Sequence, residues 1–198
     1  MHMVEGDAPG VEETLRAGGY ACPACEGVLR PWGFARMRTV GRGTERVRLR
    51  PRRSRCRSCL VTHVLFPVMC LLRRCDLAEL IGKGLALKVA GWGYRRIAAS
   101  LGVPASTVGD RGRRFGELAG KLRAYFTALL YFLDPSFGAV DARGSPLADA
   151  LEAIALAAGA AEAAFGPAPL WQFASGATLG RLLANTNPSL PLSFLARR

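Results

Sequence analysis

The sequence has few histidines and no long apolar segment. Two histidines, His2 and His63, occur in 198 residues, too few for a credible Ser/His/Asp or Cys/His catalytic set. The longest uncharged stretch, 163–180, contains three glycines, two prolines and a glutamine, so it cannot cross a bilayer as one apolar helix. The N-terminus has acids where a secretory signal needs basic residues. We therefore expect a cytoplasmic, nucleoid-associated protein that contacts no membrane.

Acidic residues are also scarce, and their scarcity is local. The chain has 27 basic and 15 acidic residues, a net charge of +12, and only three of the basic residues are lysines. Between Arg30 and Arg123 there are 22 Lys or Arg against five acids, a local charge of +17. A cationic segment of this density favours nucleic acid over an acidic protein or a bare membrane surface.

Four of the six cysteines form two C-x2-C pairs, Cys22 with Cys25 and Cys56 with Cys59, separated by thirty residues. This spacing is typical of a zinc ribbon, because two tight turns can direct four thiolates at one tetrahedral ion. Four thiolates leave no open position for water, so we expect one structural Zn²⁺. An iron–sulfur cluster, a redox pair and substitution of one cysteine by His63 are the alternatives. Cys70 and Cys75 have the wrong spacing for this ion and are expected to be reduced thiols.

The residues between the pairs alternate as strands do, with Gly41-Arg42-Gly43-Thr44 as a turn between them. This pattern predicts a hairpin, with Trp32 as a hydrophobic plug beneath it and a base-stacking platform as the alternative role of that indole. Residues 30–57 hold eleven arginines and one glutamate. Arg46, Arg48 and Arg50 recur at period two, which places them on one strand face where they can contact phosphates. A solvated face in an arginine-biased composition is the alternative.

After the ribbon, the apolar residues recur with the period of an α-helix. Asp76 and Glu79 resemble a capping box that starts a helix. Residues 94–108 have a small residue, a turn residue and apolar residues at the positions where a helix-turn-helix needs them. Ser106 or Thr107 is predicted to cap its second helix. Arg111 stands where an apolar anchor is expected, and Gly109 and Gly112 weaken the helix. The predicted groove-facing residues are Ser106, Thr107, Gly109, Asp110 and Arg113. The predicted phosphate contacts nearby are Arg95, Arg96 and Arg114.

These patterns predict a mainly α fold with a small β zinc ribbon. The expected organisation is an N-terminal tail (1–19), a four-cysteine zinc ribbon (20–66), a three-helix helix-turn-helix domain with a long bracing helix (70–133), a linker (134–145) and an alanine-rich helical C-terminal region (146–198). Small residues in the last region suit packing on the other helices or formation of a homo-oligomer.

The cysteine pairs, the segment 62–67 and the segment 95–108 together resemble uncharacterised bacterial zinc-ribbon and helix-turn-helix proteins found near insertion sequences, over roughly residues 20–185. The helix-turn-helix also resembles the DNA-binding segments of transposases and resolvases, which implies a DNA-reading role for residues 94–114. About eighty residues follow it, with their carboxylates on a linker and one helix, where no strand pattern supports a two-metal nuclease.

We therefore predict a non-enzymatic protein that binds double-stranded DNA and no small-molecule substrate, as a transcriptional regulator or mobile-element accessory factor. A zinc-ribbon adaptor that binds protein or RNA, and a non-catalytic transposase fragment, are the alternatives.

Overall fold

The computed structural model describes residues 2–184, and residues 185–198 of the predicted C-terminal region lie outside this range. The strands are β1 (His2–Val4), β2 (Leu29–Phe34), β3 (Arg38–Arg42), β4 (Glu45–Leu49), β5 (Arg52–Cys56) and β6 (Thr62–Pro67). The helices are α1 (Ala8–Ala17), α2 (Ala78–Val89), α3 (Tyr94–Leu101), α4 (Ala105–Leu133), α5 (Pro146–Phe165) and α6 (Leu170–Ala177). The predicted combination of a small β portion with a larger set of helices is confirmed at this level.

The strands form two separate sheets. One is four-stranded in the order β1-β6-β5-β2, mixed because β1 runs parallel to β6 while the other pairs are antiparallel. The other is the two-stranded hairpin of β3 and β4, whose turn lies at Gly43 and Thr44 as the glycine spacing predicts. The hairpin is therefore an insertion between β2 and β5, and those two strands pair directly with each other.

Residues 1–19 were expected to be a tail, but the structure places β1 and α1 there, packed on the sheet. Val11 and Leu15 lie four residues apart on one face of α1 and are buried against Leu29, Cys56 and Leu65. The Asp7 carboxylate caps the helix by accepting a hydrogen bond from Gly10 N–H at 2.9 Å. A single apolar face of this kind is stable only against a partner surface, and the sheet supplies it.

Helices α2, α3 and α4 surround a small cluster of buried apolar side chains, Ile97, Ala98, Leu101 and Val108. The turn between α3 and α4 begins at Gly102, which adopts the left-handed conformation with φ 64° that glycine enters at least cost. The second helix of the predicted helix-turn-helix and the predicted bracing helix form one continuous helix, α4, of 29 residues. The helix continues through Gly112, where the Tyr94 ring lies 3.3 Å from the position that a Cβ would occupy.

Two of the predicted helix caps are wrong. The residue that precedes α4 is Pro104, without a capping hydrogen bond, while Ser106 and Thr107 lie inside the first turn. At α2 the corresponding residue is Leu77, again without a side-chain cap. Asp76 is instead buried and paired with Arg111, because a charged arginine within the helical core requires a counter-ion.

Helices α5 and α6 cover α4 and complete the largest core cluster, which contains Phe115, Leu122, Phe126 and Ile154 among its fully buried side chains. Ser145 caps α5 through a hydrogen bond from Ala148 N–H. Within residues 2–184, none of the individual helices has both the length and the apolar character needed to cross a bilayer. The pair α5–α6 meets the criteria only together, and it is bent by 94°.

Candidate metal centre and nucleic-acid interface

The two cysteine pairs adopt the same local structure. In each pair the first cysteine donates its N–H to the carbonyl five residues later, at 2.7 Å for Cys22 and 2.9 Å for Cys56. The residue after the second cysteine has a positive φ in both pairs, 61° at Glu26 and 62° at Leu60. The N–H two residues after each first cysteine points at its sulfur, at 3.4 and 3.3 Å. Each pair is therefore a tight turn that presents both sulfurs on one side.

The four sulfurs of Cys22, Cys25, Cys56 and Cys59 lie within 4.8 Å of one another, which confirms the predicted cluster. The Sγ atoms of Cys22 and Cys59 are 3.7 Å apart, and those of Cys25 and Cys56 are 3.5 Å apart. Four sulfurs at about 2.3 Å from one tetrahedral ion stand about 3.8 Å from each other. The donor set therefore fits one metal ion of zinc's size and ligand preference. The Cys59 backbone N–H lowers the pKa of the Cys56 thiol, whereas hydrogen bonds from the Cys25 and Cys56 sulfurs raise the pKa of the Cys59 thiol, so a bound metal would displace the protons that the sulfurs share.

His63 lies beside this cluster and outside the set of four. Its imidazole is buried, and Nε2 is 3.3 Å from the Cys22 sulfur. Burial lowers the pKa of His63, so the neutral ring is favoured and its Nε2–H can donate to the sulfur. Such outer contacts orient a metal ligand without replacing it.

The arginines of the hairpin differ in their surroundings. Arg46, Arg48 and Arg50 are exposed, as their alternation predicts. Arg48 and Arg50 have no carboxylate partner within residues 2–184, whereas Arg46 lies 3.9 Å from Asp76. Arg52, the next in the series, is half-buried and bound to Glu12 at 2.5 Å. The exposed cationic surface is therefore shorter than the sequence pattern and ends at Arg50.

The hairpin turn is packed against the turn between α3 and α4. A Cβ on Gly102 would stand 2.9 Å from the methyl group of Thr44, and one on Gly43 would stand 3.3 Å from the Leu101 carbonyl. Further along β3, Gly41 donates its N–H to the Cys75 carbonyl and accepts one from Leu77, at 2.7 and 3.0 Å. Two elements distant in sequence, the arginine hairpin and the start of α4, are thus adjacent.

Asp76 connects these two elements electrostatically. Its carboxylate accepts a hydrogen bond from Arg111 of α4, and both side chains are buried, with 5% and 8% of their areas exposed. Its other oxygen faces Arg46 of the hairpin. Asp76 was not predicted from the sequence as a link between the hairpin and α4. The indication in the sequence was the charged Arg111, at a position where an apolar residue is expected.

The N-terminal turn of α4 opens onto a basic groove of about 330 Å³. Its lining includes Ser106 and Thr107, together with Arg73, Arg74 and the exposed thiol of Cys75. Three of the residues predicted to face a DNA groove, Ser106, Thr107 and Asp110, therefore border this groove, and Gly109 is half-buried. An anion is favoured at such a helix terminus because its N–H groups have no partners within the helix.

The remaining charged residues predicted on α4 are paired with one another. Asp110 accepts hydrogen bonds from Arg113 and Arg114 at 2.6 and 2.7 Å, and Arg113 also contacts Glu117. The Arg114 hydrogen bond lowers the pKa of Asp110. Asp110 is among the residues predicted to face a DNA groove, but its carboxylate already accepts hydrogen bonds from two guanidinium groups.

Arg95 and Arg96, the predicted phosphate contacts on α3, are both exposed. The Arg96 guanidinium lies 3.7 Å from the centre of the Trp92 ring, a stacked position that orders it. The prediction that Trp32 is a plug beneath the hairpin is wrong, because 51% of this residue is exposed on β2.

No protein-family model matches the chain, and comparisons with known proteins and with solved structures give no significant match.

Proposed function

We propose that this chain is a zinc-stabilised, non-enzymatic protein that binds double-stranded DNA, as a transcriptional regulator or mobile-element accessory factor. In this proposal α3 and α4 act as a helix-turn-helix, and the β3–β4 hairpin lies against the flanking phosphates. The observation that carries it is the contact of Gly43 and Thr44 with Leu101 and Gly102, which holds an arginine-bearing hairpin against the turn that leads from α3 into α4.

The distribution of unpaired charge supports this assignment. On α4, Arg111, Arg113 and Arg114 each have a carboxylate partner, so much of their charge is compensated within the protein. Within the described residues, Arg48 and Arg50 on the hairpin and Arg95 and Arg96 on α3 have no such partner and are exposed. Like charges held side by side on a rigid surface repel one another until phosphates or counter-ions cover them.

The proposed metal is one structural zinc ion at the four-cysteine site. A structural zinc contributes on the order of 10–16 kcal/mol at neutral pH in small domains that cannot fold without it. Here the site joins the segment before β2 to the end of β5. Zinc at this position would hold the two strands between which the hairpin is inserted.

The test compares duplex binding by two charge-matched double variants. Arg48→Ala/Arg50→Ala removes two unpaired charges from the hairpin. Lys83→Ala/Lys121→Ala removes two exposed charges, one from α2 and one from a part of α4 about 24 Å from its first residue. The affinity of the zinc-loaded protein is measured by anisotropy at several salt concentrations between about 50 and 200 mM.

Each lost phosphate contact lowers the slope of log affinity against log salt by about 0.9, so the arginine variant should lose about 1.8 from its slope. The lysine variant should keep the parent slope. Salt-insensitive binding by the parent protein, or equal losses in the two variants, would contradict the proposed interface.

A further inference from the structure

The outer face of the four-stranded sheet carries an exposed tryptophan among arginines. In the antiparallel pairs, Arg55 is opposite Arg30 on β2 and Thr62 on β6, and Arg53 is opposite Val64. Directly opposed residues share a face, and the Trp32 ring is on this one, with the Arg55 guanidinium 4.6 Å from its centre. The opposite face carries Leu29, Cys56 and Leu65 and packs against α1.

The two arginines are held in place by neutral groups. Arg55 donates from Nε to the Leu60 carbonyl at 3.1 Å, and Arg53 donates to the Thr62 hydroxyl at 3.5 Å. In the part of the chain that the structure describes, neither of them is within ion-pair distance of a carboxylate. Their positive charges are therefore held by hydrogen bonds and uncompensated within the described residues.

An exposed indole beside an uncompensated guanidinium group, with a second one on the same face, suits a ligand that has both flat apolar surfaces and negative charge. A nucleic-acid strand with unpaired bases meets both requirements, because each base has a stacking face and each linkage carries a phosphate. In a duplex the base faces are covered by their neighbours, so the exposed ring has no stacking partner there. An acidic peptide would meet the charge requirement but lacks a regular supply of flat rings.

We propose that this face binds single-stranded nucleic acid, with a base stacked on the Trp32–Arg55 pair and a neighbouring phosphate at Arg53. The proposal concerns a surface other than the hairpin and α4, and it holds or fails independently of duplex binding.

The experiment uses the full-length, zinc-loaded protein and labelled strands of about twelve nucleotides. Oligothymidine and oligouridine present bases, and an abasic strand of equal length presents the same phosphates without them. Trp32→Leu keeps an apolar side chain but removes the aromatic face, and Trp32→Phe restores a smaller one. Phe165→Ala, at a residue that is 80% exposed on α5, is the control for loss of an exposed ring elsewhere.

Stacking of one base corresponds to about a 5- to 150-fold change in affinity. We expect the parent to prefer a base-containing strand over the abasic strand by a factor in this range. Trp32→Leu should lose this preference, Trp32→Phe should keep part of it, and Phe165→Ala should match the parent. A preference for thymidine or for uridine would identify the source as DNA or RNA, and equal binding would place the recognition in features that both share.

Two results would overturn the proposal: equal binding of abasic and base-containing strands by the parent, or unchanged strand affinity in Trp32→Leu. Zinc content and far-UV circular dichroism check that the variants are folded, and Trp32→Phe provides the aromatic comparison if Trp32→Leu loses zinc. Duplex affinity should stay within about twofold of the parent in all three variants, whereas Arg48→Ala/Arg50→Ala should weaken it. This contrast separates failure of the strand site from failure of the duplex site.

Discussion

Replacement of Arg111 by methionine is expected to destabilise the protein strongly, although methionine is the more usual kind of residue for a helix interior. Arg111 and Asp76 have 8% and 5% of their side-chain areas exposed and are hydrogen-bonded to each other. Arg111→Met therefore leaves a carboxylate buried without its main partner. Removal of one member of such a pair costs about 3–5 kcal/mol.

The surroundings of Asp76 narrow the expected loss of unfolding free energy in Arg111→Met. Arg46 remains 3.9 Å from the carboxylate and still offsets part of the charge that Arg111→Met leaves unpaired, although solvent weakens this attraction because the Arg46 side chain is 66% exposed. We therefore expect a loss near the lower limit, about 3 kcal/mol. Asp76→Asn/Arg111→Met removes both charges and should recover about 1–3 kcal/mol of this loss, since contacting residues couple by this amount.

The measurement is urea unfolding of the zinc-loaded protein, followed by far-UV circular dichroism. Arg113→Met is the matched control, because it makes the same substitution two positions away on α4 at a side chain that is 57% exposed. Exposed ion pairs contribute about 0–1 kcal/mol, so this control should remain close to the parent. A loss below about 1 kcal/mol for Arg111→Met, or a double variant no more stable than the single one, would refute the role assigned to the buried pair.

Two further predictions concern close packing and thiol chemistry. A Cβ on Gly82 would overlap the Trp171 ring, whereas one on Gly116 of α4 would meet nothing within 4 Å. Gly82→Ala should therefore lose about 1–3 kcal/mol of unfolding free energy, and Gly116→Ala should gain up to about 1 kcal/mol. Urea unfolding measures both changes, and a Gly82→Ala variant more stable than the parent would contradict the packing against Trp171. Burial raises the pKa of the Cys70 thiol to about 11, whereas Cys75 is exposed. Because the thiolate is the reactive form, iodoacetamide at about pH 8 should modify Cys75 in the zinc-loaded protein. The four ribbon cysteines should react only after chelation of the zinc, and Cys70 only after unfolding, as measured by peptide mass spectrometry. Labelling of Cys70 in the folded protein would show that this assignment is wrong. So would labelling of the ribbon cysteines as fast as that of Cys75 while zinc is present.

The metal site was predictable from the sequence because its information is local. A C-x2-C turn is a short-range structure, and two such turns with four sulfurs need only one common ion to be brought together. The hairpin turn at Gly43 was predictable for the same reason, since it depends on the conformational preference of a few adjacent residues. The hairpin's separation into a sheet of its own was not, because alternation along a strand does not specify which strand is its neighbour.

The duplex-binding surface and the strand-binding surface both depend on contacts between distant parts of the chain. Trp32 was predicted to be buried because its size and apolar character favour burial on average, but the chain covers the other face of β2 with α1. Asp110 was predicted to face a DNA groove, but Arg113 and Arg114 pair with it in the folded protein.

A cationic chain, a four-thiolate cluster and a set of helices follow from short segments of the sequence, because composition, turn chemistry and periodicity are local properties. The packing of the arginine hairpin against the turn before α4, the burial of Asp76 with Arg111 and the set of unpaired arginines emerge only in the folded chain. These features depend on contacts between residues as many as 58 positions apart, such as that between Gly43 and Leu101. Such contacts form only when the whole chain packs, so no short segment specifies them.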